Sequence, residues 1–155
     1  ISLQEGVGKM RAALTARGDE SLVIAGRTSA PAITNIADAI ERARAYQDCG
    51  VDAIFLVGVK TKQDLDAVAA VIKLPLFLGG VGKDLRDREF LAARGVRICL
   101  QGHQPFAACV QALYQTMKAL REGAPPEGLP GVADETLMAR VARAEIYAQR
   151  AREFL

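Results

Sequence analysis

Ser21-Leu22-Val23-Ile24-Ala25-Gly26-Arg27-Thr28 is a short apolar run closed by polar residues, and it decides how the rest of the chain reads. Its apolar positions are consecutive rather than alternating, the pattern of a strand buried on both faces of a parallel sheet. Before it, Leu3, Val7, Met10, Ala13 and Leu14 recur at helical spacing over residues 3–17, with Gly18 as the stop. After it, Pro31 ends the strand. Thr34 or Asn35 then caps a helix with Ile36, Ala39, Ile40, Ala43 and Tyr46 on one stripe and Gly50 at its end.

The unit repeats. Asp52-Ala53-Ile54-Phe55-Leu56-Val57 reads as a second strand, and a helix after Thr61 turns Leu65, Val68, Ala69 and Ile72 inward. A third strand over residues 75–78 runs into Gly79-Gly80-Val81-Gly82, with a shorter helix over 84–94 behind it. The fourth strand covers 96–100, followed by Gln101-Gly102-His103 and a long helix over 105–121. Strands alternating with helices predict an α/β fold built of βαβ units on a parallel sheet. Such sheets are either open and doubly wound or parts of an eight-stranded barrel of roughly 250 residues. No glycine fingerprint follows the first strand, which weighs against a dinucleotide-binding sheet. Four units amount to about half of a (β/α)8 TIM-type barrel, and residues 1–122 are assigned to it. Residues 123–131, Gly-Ala-Pro-Pro-Glu-Gly-Leu-Pro-Gly, form a linker by composition. Over 132–155, Asp134 caps a single amphipathic helix with Leu137, Val141, Ala144, Ile146 and Tyr147 in its stripe. That helix is expected to dock on its own domain or on a second subunit.

Composition excludes several function classes. The 155 residues, 50% of them hydrophobic, suffice for one core. A net charge of +2, from 20 basic against 18 acidic residues, gives no field that argues for nucleic acid or an anionic membrane. Small molecules or protein are the expected partners. Cys49, Cys99 and Cys109 are odd in number and lack the close pairing of a zinc site, which favours a reducing cytoplasm. No apolar stretch reaches the roughly 18 residues of a membrane span, and no leader opens the chain.

Two stretches carry a family resemblance. Gln4-Glu5-Gly6-Val7-Gly8-Lys9-Met10-Arg11-Ala12-Ala13-Leu14 and Val23-Ile24-Ala25-Gly26-Arg27-Thr28-Ser29-Ala30 resemble the middle of enzymes of the isocitrate lyase/phosphoenolpyruvate mutase superfamily. Asp38-Ala39-Ile40-Glu41-Arg42-Ala43-Arg44-Ala45-Tyr46 and Gly50-Val51-Asp52-Ala53-Ile54-Phe55 continue the likeness, which runs from Gln4 to about Tyr114. Within the superfamily the chain is most similar to the oxaloacetate decarboxylase branch. Leu56-Val57-Gly58-Val59 ends the second strand where the isocitrate and methylisocitrate lyases carry a glutamate, Gly79 stands where they carry an asparagine, and Gln101-Gly102-His103 resembles the decarboxylase's Asn-Gly-His. Gly26 replaces a usual alanine, Ser29 stands where Asp or Asn is common, and the loop after Leu78 lacks a tyrosine.

The resemblance implies a magnesium-dependent carbon–carbon lyase acting on a small 2-oxo dicarboxylate, most simply decarboxylating oxaloacetate to pyruvate and carbon dioxide. Its magnesium ligands and gating loop belong to the first half of the barrel, upstream of Ile1, so no metal ligand is expected here. The chain is expected to be the C-terminal portion of such an enzyme, inactive alone and homo-oligomeric through its C-terminal helix. Other chemistry of the superfamily, such as methylisocitrate cleavage or phosphonate mutation, or a non-catalytic half-barrel binding module, are the alternatives.

Arg27 at a strand's C-terminal end suits the capture of a carboxylate by a planar two-pronged guanidinium; a salt bridge within the barrel is the competing role. His103, the sole histidine, is the expected catalytic group, hydrogen-bonding or protonating the enolate, unless it is structural. Gln101 and Gly102 are expected to contact substrate, although Gln101 equally suits pairing with backbone. Gly79-Gly80-Val81-Gly82-Lys83 has the look of a phosphate cradle, but a tight turn needs the same glycines. Asp48 and Asp52 read as a surface charge and a cap, Cys99 as core, and Arg140, Arg143, Arg150 and Arg152 as a solvated face.

Overall fold

The computed structural model describes residues 1–100 and 102–154. It divides into two compact units, Ile1–Gly102 and His103–Leu155.

In the first unit, α1 (Leu3–Ala16) starts at Ser2, whose hydroxyl accepts the Glu5 N–H. Four strands follow, β1 (Ala25–Thr28), β2 (Ala53–Val57), β3 (Leu76–Gly79) and β4 (Val96–Leu100). They form one sheet in the order β1-β2-β3-β4, every neighbouring pair parallel. The crossovers are helical: a single turn α2 (Ala30–Ile33) with α3 (Ile36–Cys49), then α4 (Lys62–Ala69), then α5 (Arg88–Ala93). The α/β reading of the sequence therefore holds.

Local chemistry fixes these helices. Asn35, Thr61 and Asp87 each accept the N–H three residues ahead, satisfying a donor that the first turn cannot. Gly50, at φ 93°, ends α3 in the left-handed conformation that side chains resist. The helix expected over 84–94 is shorter, because Asp87 starts α5 and Lys83–Leu85 is a separate 3₁₀ turn.

Ile54, Leu56, Leu76 and Leu78 form a buried core with Ala43, Tyr46, Leu65, Val68 and Ile72 of the helices and the turns that end them. The alternate positions differ: Phe55, Val57 and Phe77 are half-buried, and Ile98 and Leu100 are 44% and 48% exposed. One face of the sheet is thus covered and the other is open. This corrects the expectation for residues 21–28. Only Ala25–Thr28 pairs, Leu22 and Val23 are 59% and 60% exposed, and only Gly26 and Thr28 are buried, because β1 is an edge strand with one open face.

The second unit holds α6 (Gln104–Arg121), α7 (Glu135–Val141) and α8 (Ala144–Phe154), with a 3₁₀ turn at Pro126–Gly128 in the proline-rich segment. The single C-terminal helix expected from the sequence is two helices. Asp134 does cap the first, but Arg143 takes φ 54° and breaks the run. No described residue of this unit is buried, and Arg140, Arg143, Arg150 and Arg152 are exposed as expected.

Candidate functional site

Position 26 has no room for a side chain: a Cβ there would lie 2.9 Å from Cβ and 3.0 Å from Cδ2 of Tyr46 on α3. Because successive strand residues point to opposite faces, Arg27 then emerges on the face away from Tyr46. One residue further, buried Thr28 accepts the Ala30 N–H at 3.1 Å, which turns the chain out of the strand into α2. Arg27 is thereby fixed near the C-terminal end of β1, in register with Phe55 of β2.

A depression of about 380 Å³ opens here, with Arg27, Ser29, Ile33, Asp38 and Arg42 among its lining residues. Its two cations differ in their partners. Arg42 donates through Nε to Asp38 Oδ1 at 2.8 Å and through Nη1 to the Ile1 carbonyl at 3.3 Å. Asp38 also accepts from the Thr34 hydroxyl at 2.6 Å. That hydroxyl, followed by Arg42, holds the Asp38 carboxyl below the usual aspartate range. Arg27 is exposed and makes no hydrogen bond or ion pair among the described residues; its one specific contact is the Phe55 ring, whose centroid lies 5.6 Å from Cζ. A guanidinium with five open donors in a fixed plane can take a carboxylate through two parallel hydrogen bonds.

The neighbouring strand ends are bare of polar side chains. Val57 ends β2, and Gly79 ends β3 with its Cα hydrogens toward Phe55 and Val57. In the loop beyond, Gly80 takes φ 66°, and a Cβ at Gly82 would sit 2.9 Å from the Lys60 carbonyl oxygen. The glycines therefore let two strand-end loops pass closely, which accounts for Gly79-Gly80-Val81-Gly82 as a turn.

Gln101 lies outside the described residues. Gly102, at φ 86°, closes the first unit. His103 opens the second, at the N-cap position of α6, exposed and with no side-chain capping bond. Arg27 and His103 thus belong to different units. Among the described residues no three His, Cys, Asp or Glu side chains cluster so as to hold a metal ion. Sequence reasoning missed Phe55 as Arg27's neighbour and the Thr34–Asp38–Arg42 network. The four-residue spacing of Asp38 and Arg42 on one helix was the available signal for the latter.

Residues 1–121 match the model of the phosphoenolpyruvate phosphomutase family. The whole chain is 53% identical to an oxaloacetate decarboxylase of Bradyrhizobium sp. (strain ORS 278) and 54% identical to one of Rhodopseudomonas palustris (strain BisA53). Each alignment covers 100% of this chain and 54% of the relative, so the chain spans about half the length of the curated relatives it matches. Among solved structures, phosphonopyruvate hydrolase in complex with oxalate and Mg²⁺ superposes with a TM-score of 0.77 at 24% identity, over 99% of this chain and 56% of that one. That likeness identifies the sheet as four consecutive units of a TIM-type barrel, whose sites lie at the C-terminal ends of its strands.

Proposed function

The chain belongs to the phosphoenolpyruvate phosphomutase family, and from that premise we propose that in the whole protein it supplies the substrate-carboxylate clamp of a carbon–carbon lyase that decarboxylates oxaloacetate to pyruvate and carbon dioxide. The observation that carries the reading is Arg27, exposed at a strand's C-terminal end with no anionic partner among the described residues, in a chain 53% identical to an oxaloacetate decarboxylase. The apolar ends of β2 and β3 favour a small dicarboxylate. Val57 and Gly79 offer no polar group to a larger tricarboxylate.

In this mechanism Arg27 grips one carboxylate of the 2-oxo dicarboxylate and fixes the bond to the departing carboxylate in line with the carbonyl π system. That carbon–carbon bond breaks, carbon dioxide leaves, and its electron pair passes into the carbonyl as an enolate. His103 hydrogen-bonds or protonates the enolate on the way to pyruvate, and Gln101 with Gly102 orients the substrate. The reaction is magnesium-dependent in this proposal, with the ion's ligands contributed outside residues 1–155.

A homo-oligomer formed through the C-terminal helices completes the proposal. Met138, Val141, Tyr147 and Phe154 are exposed apolar residues on α7 and α8, and a unit with no buried residue among those described gains by covering them. No helix among the described residues is long and apolar enough to cross a membrane. A cytoplasmic setting rests on the odd cysteine count, and a small-molecule partner rather than nucleic acid on the net charge of +2.

The test is magnesium-dependent pyruvate release by the full-length protein. Arg27→Ala is expected to lower kcat/KM for oxaloacetate about ten- to a hundred-fold, the loss of a charge-assisted hydrogen-bonded pair. Full activity of that variant would remove the clamp from the mechanism.

A further inference from the structure

We propose that Phe55 is the positioning residue of the Arg27 clamp, seated by the bare backbone at Gly79; the inference rests on the carboxylate-clamp reading of Arg27 given above. A long cationic side chain on an edge strand must be restrained to bind well, since each rotamer frozen on binding weakens the complex. Two kinds of restraint occur side by side in this molecule. Arg42 is held by hydrogen bonds to Asp38 and the Ile1 carbonyl, which take two of its five donors, and the Asp38 carboxylate offsets its charge. Arg27 is held by the Phe55 ring, with Cζ 5.6 Å from the centroid and inside the range of cation–π attraction. Attraction to a ring, unlike a hydrogen bond to a carboxylate, does not neutralise the guanidinium and uses no acceptor, so its charge and its fork of donors remain for a substrate carboxylate. Only the second restraint suits a residue that must still bind a carboxylate.

The ring is itself fixed. Arg27 and Phe55 are cross-strand partners, and Val57, two residues along β2, pairs with Gly79. A Cβ at position 79 would come to 3.0 Å from Phe55 Cε2 and 3.2 Å from Cζ, so the ring occupies the space where a side chain on β3 would stand. Three adjacent strands thus act in series: the absent side chain of Gly79 admits the Phe55 ring, and the ring carries Arg27. The apolar wall at the ends of β2 and β3 acquires a role, since a polar residue at 79 would displace the ring.

The experiment is a double-mutant cycle on the full-length protein, with oxalate affinity by titration calorimetry as the readout and the thermal midpoint measured alongside. Phe55→Leu is expected to weaken oxalate about two- to five-fold in the parent and to have no effect in the Arg27→Ala background. Gly79→Ala is expected to weaken binding in the same direction. If Phe55→Leu folds poorly, Phe55→Met, which keeps most of the volume, replaces it in the cycle. Unchanged affinity in Phe55→Leu, or an equal loss in both Arg27 backgrounds, overturns the positioning role while leaving the clamp intact. Should Arg27→Ala alone leave oxalate affinity unchanged, the clamp reading fails and the positioning role fails with it.

Discussion

A Cβ added at Gly26 would lie 2.9 Å from the Cβ of Tyr46, so β1 and α3 approach to a separation that only glycine permits. Tyr46 is also covered from α1, where a Cβ at Gly6 would overlap its hydroxyl. Two glycines therefore form the seat of one buried aromatic ring. The resemblance leads one to expect alanine at position 26, and Tyr46 gives the physical reason for its absence. Gly26→Ala is expected to destabilise the protein by about 1–3 kcal/mol, the usual cost of overpacking a close contact. Urea denaturation checks this, and an unchanged midpoint would mean that α3 and β1 are not packed as described.

Asp52 is tied in the same region by two bonds. Its Oδ2 accepts from Arg17 Nη1 at 2.7 Å and from the Ile24 N–H at 2.8 Å, joining the end of α1 to the segment that leads into β1. Asp52→Ala is expected to cost about 1–3 kcal/mol, because it leaves the Ile24 N–H without its acceptor and the part-buried Arg17 guanidinium with only the Leu22 carbonyl. Asp48→Ala, one turn away on the exposed side of α3, serves as the control and is expected to stay within about 0.5 kcal/mol of the parent. Equal effects at the two positions would contradict the distinction.

Asp38 makes a pH-dependent contribution at the start of α3. The Thr34 hydroxyl, and after it Arg42, hold its carboxyl below the ordinary range. A carboxyl whose folded value is lowered adds stability that is fully present above the unfolded aspartate value and is lost as pH falls through the folded one. Thr34→Val removes the leading cause and is expected to raise the Asp38 titration toward its ordinary position. Carboxyl ¹³C NMR reads this site directly. An Asp38 that titrates identically in parent and Thr34→Val would exclude the hydroxyl as the cause.

These contacts mark where the sequence stops being legible. Period and caps located all four strands and α1, α3 and α4 of the first unit, because Asn35, Thr61 and Gly50 act within three or four residues of themselves; the single turn α2, with Pro31 inside it, was missed, and α5 is shorter than its pattern implies. Arg27 could be picked out because a strand's C-terminal end is a position along the chain. Asp52 reads from the sequence as a cap because its partners, Arg17 and Ile24, lie 35 and 28 residues away, where no local pattern reaches. Phe55 was read as one more apolar strand residue. Its contact with Arg27 requires the parallel register of β1 on β2, which pattern implies and only coordinates specify.

The break between α7 and α8 was the least legible feature. Ala142-Arg143-Ala144 contains neither glycine nor proline, and every residue in it favours a continuous helix. Arg143 nevertheless takes φ 54°, the single non-glycine residue with positive φ among those described. That conformation costs a side-chain-bearing residue about 1–2 kcal/mol, of which glycine escapes most while giving up some unfolded-state entropy. The sign of one substitution therefore decides between a real break and a straight helix. With the break, Arg143→Gly is expected to stabilise the protein by about 0.5–1 kcal/mol with no loss of helix signal in far-UV circular dichroism. A continuous helix would instead lose about 1 kcal/mol and helix signal with it, since glycine is a poor residue in a helix interior.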